Sequence, residues 1–432
     1  MSEGLPHERA EARYVVLDDD PTGVQTLAGI HVLLAWDEGD VRAALSDRPS
    51  VHLVTNVRAL VAERARAVTA SAARAALAGA PDARIVLRGD STLRGHLLEE
   101  VEAVASVVTP GRVPPLLVVP ALPSAGRVTV AGVQLIEREG RFIPLHETEY
   151  ASDGVFSYRS ARLLEWAEER SAGLFRAGDG RELQLDDLRA GGPAAVMGAL
   201  EELEAVGRPA VLAPDAVAET DLEIVAEGYR RAVEAGTGAL VRCAPAFAGV
   251  LAATTATGLV PAPAARDGVL VVCGSYVPAS TAQLRVLVDE RPGSLVEIDP
   301  SVLASSDPES EIRRAASAAA ERIRNSGLAV VSTSRLRPPG TETLDAGERI
   351  AAGIAAVAGA IEPRPSVVVA KGGITSCVTL RDGLGVGAAE VVGPVLPGVS
   401  LWRAGELDYL VVPGNVGDDR LLADIVALVL GE

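Results

Sequence analysis

The chain has 432 residues, which is enough for two or three domains, and its 48% content of hydrophobic residues can fill more than one core. Because its formal charge is −18, with 58 acidic and 40 basic residues, it would repel nucleic acid and anionic membrane surfaces, and we expect neither as a partner. It contains no apolar run of the ~18 residues that span a membrane, no apolar signal segment near its first residue and only three widely spaced cysteines, so we expect a cytoplasmic protein.

The first half of the sequence alternates short apolar runs with longer stretches of helical spacing that are rich in Ala, Glu and Arg. The apolar runs include YVVL, HLVT, IVLR and LLVVP, at residues 14–17, 52–55, 85–88 and 116–120. They are apolar throughout instead of alternating with polar residues, which is typical of strands buried on both faces of a parallel sheet. The pattern therefore predicts a layered α/β domain.

A segment rich in Pro, Ala and Gly, LVPAPAARDG at residues 259–268, interrupts this alternation. Beyond it, strand-like runs return in VLVVCG, SLVEID, LAVVST and SVVVAKGG. We therefore expect a two-domain α/β protein in which each domain is a layered, mainly parallel sheet flanked by helices. The predicted parts are an N-terminal domain at 1–258, a linker at 259–268 and a C-terminal domain at 269–432.

The first polar cluster, VVLDDDPTG, places Asp18, Asp19 and Asp20 directly after a predicted strand. Ligands bind beyond the carboxyl ends of strands in open α/β sheets, so this position is a candidate site. Three adjacent carboxylates repel one another, and we expect at least one to accept a hydrogen bond from a substrate hydroxyl or to act as a general base. Metal coordination is a variant of this hypothesis, and capping of the following turn is the structural alternative.

The second cluster, RIVLRGDSTLRGHLLEEVEAV, is predicted to be a strand, a polar turn and a helix that starts near Asp90 and Ser91. Free amides at a helix start, together with the helix dipole, favour anions. Arg88 and Arg94 bracket this turn, and a guanidinium can hold a carboxylate through two parallel hydrogen bonds. A helix cap with two surface arginines is the alternative.

Two more arginines follow apolar runs, Arg58 in VTNVRAL and Arg127 in VVPALPSAGRV. Either one alone would mean little. Together with Arg88 and Arg94, they give the N-terminal domain several cations at predicted strand ends. In an otherwise acidic protein, this arrangement favours a small anionic substrate.

Three segments of the C-terminal domain each combine an apolar strand with a glycine turn that carries hydroxyl or amide residues. They are VVCGSYVPASTAQ, VVVAKGGITS and VVPGNVGDDRLLADIV. Glycine turns of this kind can direct several backbone amides at phosphate oxygens. None matches GxxxxGK[ST] or GxGxxG, and a turn that merely needs positive φ is the alternative for each, but three in one domain favour phosphate binding.

The segments DDPTG, RGDSTLRG, PALPSAGR, GSYVPASTAQ, KGGITS and PGNVGDD, in this order over nearly the whole chain, resemble the four-carbon acid sugar kinase family. The resemblance implies an N-terminal domain that binds a tetronate-type sugar acid, a C-terminal domain that binds ATP, and phosphoryl transfer with Mg²⁺ present. It implies that Asp20 contacts the sugar acid and that Asp19 is a candidate base. The implied substrate site also contains Arg58, Arg88, Gly89, Asp90 and Ser91. The implied nucleotide site contains Ser275, Gly372, Gly373, Thr375, Gly414 and Gly417.

The chain departs from the family pattern in three places. Many members have lysine where this chain has Arg88, and Val277 replaces the second serine of a GSxS pattern. In the last turn, where KSGxFG is a common form, Val412 and Pro413 replace lysine and serine. Lys371, the only lysine of the chain, precedes the KGGITS turn, and we expect its ammonium to supply the missing charge to the phosphates. Survival of a lone lysine by chance is the alternative.

The expected function is ATP-dependent phosphorylation of a hydroxyl group of a small sugar acid such as a threonate, an erythronate or an oxo-tetronate. The alternatives are a kinase for a longer sugar acid and a sensor that binds both ligands without turnover. A nucleotide-dependent oxidoreductase would need a dinucleotide fingerprint, which does not follow the first strand. The identity of the acid, the phosphorylated hydroxyl and the metal ligands remain open, and a homo-oligomer is one alternative for the assembly.

Overall fold

The structure is a computed structural model that describes residues 12–24, 27–335, 344–414 and 416–432. The strands of the N-terminal half are β1 Tyr14–Asp18, β2 Ile30–Leu33, β3 Ser50–Val54, β4 Arg84–Arg88, β5 Leu116–Val119, β6 Arg127–Val130, β7 Val133–Arg138, β8 Arg141–Pro144, β9 Arg181–Leu183, β10 Val211–Pro214 and β11 Leu240–Cys243. Its helices are α1 Glu38–Ala44, α2 Ala62–Gly79, α3 Leu97–Val108, α4 Leu163–Arg170, α5 Leu185–Val206, α6 Glu219–Glu234 and α7 Pro245–Ala252.

The C-terminal half repeats the alternation of strand and helix. Its strands are β12 Val269–Cys273, β13 Leu295–Ile298, β14 Leu328–Thr333, β15 Val367–Lys371, β16 Ala388–Leu396, β17 Val399–Ala404 and β18 Leu407–Val412. Its helices are α8 Pro278–Glu290, α9 Pro300–Leu303, α10 Glu309–Ser326, α11 Leu344–Gly359, α12 Gly373–Val378 and α13 Leu421–Leu430. Residues 259–268, the predicted linker, form neither helix nor strand.

Each half is a sheet with helices on both faces, as the unbroken apolar runs predict. Alternate residues of β1 point to opposite sides: Val15 and Leu17 pack with α2 and α3, whereas Tyr14 and Val16 pack with α5, α6 and α7. In the C-terminal half, β12 likewise divides its residues between α10 and α11 on one face and α8 and α13 on the other. Because both faces are covered, most positions of the inner strands are apolar, and buried polar residues such as His52 of β3 and Lys371 of β15 have polar partners. The predicted fold class is confirmed.

The two sheets are joined edge to edge, which the sequence did not indicate. Within the described residues they form one 15-stranded sheet in the order β13-β14-β12-β15-β18-β17-β16-β2-β3-β1-β4-β11-β5-β10-β9. The junction is the antiparallel pair of β2 with β16, in which Ile30 lies opposite Val391 and Leu33 opposite Ala388. A separate antiparallel sheet contains β6, β7 and β8.

The strand direction reverses at three successive antiparallel pairs, β2 with β16, β16 with β17 and β17 with β18, so that the parallel strands of the two halves run oppositely. In a flat sheet their carboxyl ends would lie at opposite edges. Strands twist by about 20–25° per step, and this rotation accumulates over the strands between β1 and β15. The segment after β1 thereby meets the segment after β15, and the 3-10 turn Pro21–Val24 packs against α12.

One local prediction was wrong. The sequence placed the start of a helix at Asp90 and Ser91, but α3 begins at Leu97. The Asp90 side chain accepts a hydrogen bond from the Thr92 amide instead, and Leu93 and Gly95 have φ of +68° and +124°, which are incompatible with a right-handed helix. The motif is therefore an extended polar turn between β4 and α3.

None of the helices in the described parts of the chain is long and apolar enough to cross a bilayer.

Candidate active site

The three aspartates after β1 lie in three different environments. Asp18, the last residue of the strand, is fully buried, and its Oδ2 lies 3.1 Å from Nδ1 of His52. Burial lowers the pKa of His52 to about 3, so a neutral ring donates this hydrogen bond. The guanidinium of Arg88 pairs with the other carboxylate oxygen of Asp18. Asp18 is therefore a buried partner of His52 and Arg88, whereas the capping of the following turn that was the structural alternative is made by Asp20, which accepts from the Thr22 amide.

Asp19 holds Arg58 in a two-pronged ion pair. Arg58 Nε donates to Oδ2 at 3.1 Å and Nη2 donates to Oδ1 at 2.7 Å, while Nη1 of Arg88 lies 3.2 Å from Oδ1. The Asp19 side chain is only 1% exposed. Burial raises its pKa to about 7, and the charge of Arg58 opposes this shift.

Asp20 is the accessible carboxylate of the three, with 16% of its side chain exposed. Its Oδ1 accepts hydrogen bonds from the amide and the hydroxyl of Thr22 at 2.7 and 2.5 Å. Its Oδ2 lies 3.5 Å from Nη2 of Arg58. A Cβ placed on Gly373, the first residue of α12, would lie 2.6 Å from Oδ1 of Asp20. The N-terminal carboxylate thus contacts a glycine turn of the C-terminal half.

Asp90 ties two more predicted arginines to this cluster. Its Oδ2 accepts from Nε of Arg94 at 2.7 Å and lies 3.7 Å from Nη1 of Arg58. Burial alone would raise the pKa of Asp90, but Arg94 and Arg58, with a hydrogen bond from Thr92, hold it well below its usual range. Asp90 is therefore a permanent anion that positions both guanidinium groups.

Arg127 differs from the other three arginines. Its Nη1 donates to Oγ of Ser91 at 2.9 Å, and among the described residues it has no ion pair with a carboxylate. Its charge is therefore the least neutralised of the four. The predicted residues Asp19, Asp20, Arg58, Arg88, Gly89, Asp90, Ser91, Arg94 and Arg127 lie in one connected cluster at the carboxyl ends of β1, β4 and β5.

Sequence reasoning missed Arg242, which lies under this cluster. It forms a buried ion pair with Glu100 at 2.5 Å. A Cβ on Gly89 or on Gly95 would lie 2.8 Å from its Nη2, so these glycines leave room for the guanidinium. Arg242 stands at the end of the apolar run LVRC, the same signal that identified Arg58, Arg88 and Arg127.

The glycine turns of the C-terminal half converge on Ser275. A Cβ on Gly372, which has φ of +103°, would lie 3.3 Å from Cβ of Ser275, and a Cβ on Gly414 would lie 3.4 Å from its Oγ. Thr375 completes this cradle, since its Oγ1 lies 2.9 Å from the Cβ position of Gly274. Four predicted nucleotide residues are thereby brought together. Gly417 has a different contact, because it packs against Leu421 at the start of α13.

Three side chains hold the carbonyl groups of the last glycine turn. Ser280 Oγ donates to the Gly414 carbonyl at 2.9 Å, and Gln283 Nε2 donates to the Val416 carbonyl at 2.9 Å. Lys371 Nζ donates to the carbonyls of Pro413 at 2.7 Å and Val416 at 3.3 Å. Lys371 is 0% exposed, and burial lowers its pKa to about 8.

Arg335, which sequence reasoning also missed, supports the first glycine turn. Its Nη1 donates to the Ser275 carbonyl at 2.7 Å, and its Nη2 donates to the Thr333 carbonyl at 3.0 Å. Its guanidinium carbon lies 5.2 Å from the ring centroid of Tyr276. The arginine follows the apolar run LAVVST, so the strand-end signal applied here as well.

Within the described ranges, no three His, Cys, Asp or Glu side chains are grouped so that they could hold a metal ion by themselves.

Two family models match the chain. A sugar-binding N-terminal domain matches residues 14–251, and a nucleotide-binding C-terminal domain matches residues 270–422. Among curated proteins, the D-erythronate kinase of Heliobacterium modesticaldum is 29% identical over 242 residues, which are 55% of this chain and 50% of that protein. The aligned region thus spans about half the length of this relative.

Two solved structures share the fold. Protein HI1011 of Haemophilus influenzae has a TM-score of 0.63 at 17% identity, with coverage of 96% of this chain and 100% of that one. A protein of Salmonella typhimurium LT2 has a TM-score of 0.67 at 19% identity, with coverage of 95% and 98%. At these identities the likeness concerns the fold alone.

Proposed function

The chain belongs to the four-carbon acid sugar kinase family, and we propose that it is an ATP-dependent kinase that phosphorylates a hydroxyl of a small sugar acid. Proteins of this family combine a sugar-binding N-terminal domain with a nucleotide-binding C-terminal domain. The observation that carries the proposal is the approach of Asp20 to Gly373. It places the carboxylate of the sugar-binding half beside a glycine turn of the nucleotide-binding half. Direct phosphoryl transfer requires acceptor and donor to meet in this way.

Asp20 is the better candidate for the residue that accepts the hydrogen of the acceptor hydroxyl. A general base must lie within hydrogen-bond reach of its proton, so geometry is considered before pKa. Both oxygens of Asp19 are occupied by arginines, and the side chain is almost inaccessible. Asp19 therefore acts as a positioning residue for Arg58, whereas Asp20 contacts the substrate.

Arg127 is the candidate receptor for the carboxylate of the sugar acid. The ion pairs of Arg58, Arg88 and Arg94 neutralise much of their charge. Among the described residues, Arg127 donates to the neutral hydroxyl of Ser91 and no carboxylate lies within ion-pair distance of its guanidinium, which could hold the carboxylate of the acid through two hydrogen bonds. The acid would thus be bound by Arg127 at one end and by Asp20 at the reacting hydroxyl.

The glycine cradle around Ser275 is the candidate site for ATP. Its converging turns leave space that a Cβ would fill, which suits close approach of phosphate oxygens to the backbone. Mg²⁺ usually keeps several waters and binds through phosphates with one or two carboxylates, and Asp20 fits as such a ligand. When bound with ATP, the ion would neutralise charge on the phosphates.

The test is ADP release from ATP and Mg²⁺ with a panel of erythronates, threonates and their oxo derivatives, and with D-erythronate as the first candidate. We expect turnover with one acid, and at least a ~10²-fold loss of turnover in Asp20→Asn, consistent with loss of a general base. Turnover with none of the four-carbon acids but with a longer sugar acid would change the substrate class. If calorimetry shows binding of acid and nucleotide but no ADP forms, the protein is a sensor and the proposed kinase function is wrong.

A further inference from the structure

Lys371 lies in an unusual environment for the only lysine of a chain. It ends the inner strand β15, its side chain is fully buried, and it forms no ion pair with a carboxylate among the described residues. A buried ammonium must have its hydrogens accepted, because desolvation of an unpaired charge is costly. The acceptors here are two backbone carbonyls of one turn, those of Pro413 and Val416.

These contacts point away from the role that the sequence suggested. An ammonium that bound phosphate directly would have to face the open cradle, whereas Lys371 is enclosed on the sheet side of the turn. The carbonyl of Gly414, between its two acceptors, is held by the neutral Ser280 of α8. The turn therefore has its carbonyl groups drawn towards β15 and α8.

Three amides of the same turn have no such partners among the described residues. Within the described part of the chain, the backbone N–H groups of Gly414, Val416 and Gly417 donate no hydrogen bond. When the carbonyls of a tight turn are drawn to one side, the amides are left available on the other, which is the basis of anion-binding turns. Gly414 also lies against Ser275 of the cradle.

We propose that Lys371 is a positioning residue of the nucleotide site, whose buried ammonium fixes the carbonyls of Pro413 and Val416 and thereby presents the amides of the last glycine turn to the phosphates. This inference rests on the proposed function for its nucleotide, but the fixation of the turn can be tested without any ligand.

The test compares Lys371→Met with two other variants. Ser280→Ala removes a neutral donor from the same turn, and Ser366→Ala removes the acceptor of two linker amides at the opposite end of β15. We expect amide hydrogen exchange of Gly372, whose N–H donates to the carbonyl of Val412 where the turn begins, to accelerate about tenfold or more in the ligand-free Lys371→Met protein. Ser280→Ala should accelerate it less, and Ser366→Ala should leave it unchanged.

Nucleotide binding gives the second readout. By calorimetry with ADP, we expect affinity to fall about tenfold or more in Lys371→Met and in the same direction in Ser280→Ala, which removes no charge. Loss of affinity in Lys371→Met with unchanged exchange would mean direct contact with phosphate and would overturn the inference. Unchanged exchange with unchanged affinity would overturn it as well.

Ser280→Ala keeps the inference open to refutation if Lys371→Met does not fold, because unchanged exchange and affinity in this variant would contradict fixation of the turn. If the wild-type protein binds no nucleotide, the proposed function fails, while the exchange comparison still decides whether Lys371 fixes the turn. The two failures are therefore distinguishable.

Discussion

Asp19 is the residue in the site whose charge is most sensitive to pH near neutrality. Burial raises its pKa to about 7, and its ionised form is the one that pairs with Arg58. Above this pKa the carboxylate is charged and the ion pair is complete. As the pH falls through it, protonation removes the charge and loosens Arg58, which also faces Asp20 and Asp90.

We therefore expect kcat/KM for the sugar acid to fall as the pH is lowered from 8 to 6, with an apparent pKa near 7. Asp19→Asn mimics the protonated form, so its activity should be low at every pH and should not show the fall in kcat/KM near pH 7. Titration of ATP affects both proteins equally, so the difference between the two profiles isolates Asp19. A wild-type profile without the step, or a step that persists in Asp19→Asn, would contradict the prediction.

Arg127 can be tested through the Michaelis constants. Loss of a hydrogen-bonded charge pair costs roughly 1.5–3 kcal/mol, so Arg127→Ala should raise KM for the acid about 10–100-fold and leave KM for ATP nearly unchanged. Arg112→Ala is a matched control, because this exposed arginine pairs with Glu204 on the surface. The hypothesis fails if the KM for the acid is the same in Arg127→Ala and in the control.

At the scale of elements, the start of α12 is where the two halves of the site meet. A side chain on Gly373 would collide with Asp20, whose carboxylate is anchored by Thr22 and cannot easily move away. Gly373→Ala should therefore reduce turnover about as strongly as substitution of Asp20, and the unrelieved contact should also lower the free energy of unfolding by about 1–3 kcal/mol. Steady-state kinetics and thermal unfolding would measure the two effects.

Gly198→Ala in α5 provides the matched glycine control. A Cβ at Gly198 meets nothing within 4 Å, so activity should be unchanged. Stability should rise slightly, by about 0.5–1 kcal/mol, because alanine is the better helix former. Equal activity of Gly373→Ala and Gly198→Ala would mean that the contact with Asp20 does not matter for turnover.

Some elements could be predicted from the sequence because their signal is local. The strands β1, β4 and β5 are buried on both faces, and unbroken apolar runs in the sequence indicate this burial. The start of α3 could not be predicted, because the polar turn uses positive φ at Leu93, a residue that normally avoids it. Propensity alone does not reveal such a conformation.

The site itself was predictable to the extent that its residues follow strands. Arginines at strand ends were recognised in the N-terminal half, and the same signal at Arg242 and Arg335 was overlooked. The sequence marked Lys371 as unusual but could not show its direction, because its partners lie more than 40 residues further along the chain. Long-range contacts of this kind depend on how the strands are ordered in the sheet.

At the scale of the whole molecule, the two halves share a core as well as a sheet. Five residues in or next to β2 pack in the same cluster as Trp402 of the C-terminal half, namely Val24, Leu27, Ile30, Val32 and Leu34. The pairing of β2 with β16 adds backbone hydrogen bonds across the junction. The division into domains at 258 and 269 remains a prediction from the sequence, but these contacts indicate that the two parts do not unfold independently.

Ile30→Ala tests this coupling. Removal of a buried isoleucine side chain costs about 2–5 kcal/mol, so calorimetry should show one unfolding transition shifted to lower temperature as a whole. Val130→Ala, at a half-exposed position of the small sheet, should shift it by little. Two transitions, of which Ile30→Ala moves only one, would show that the halves unfold separately.

The buried position of the single lysine also determines how the chain responds to a lysine-specific endoproteinase. Such an enzyme has one bond to cut, that between Lys371 and Gly372, at the end of an inner strand that pairs with β12 and β18. The folded molecule should resist cleavage, because the bond becomes accessible only when the central sheet opens. When opening and closing are fast relative to cleavage, the rate at which two fragments appear would report the population of opened molecules.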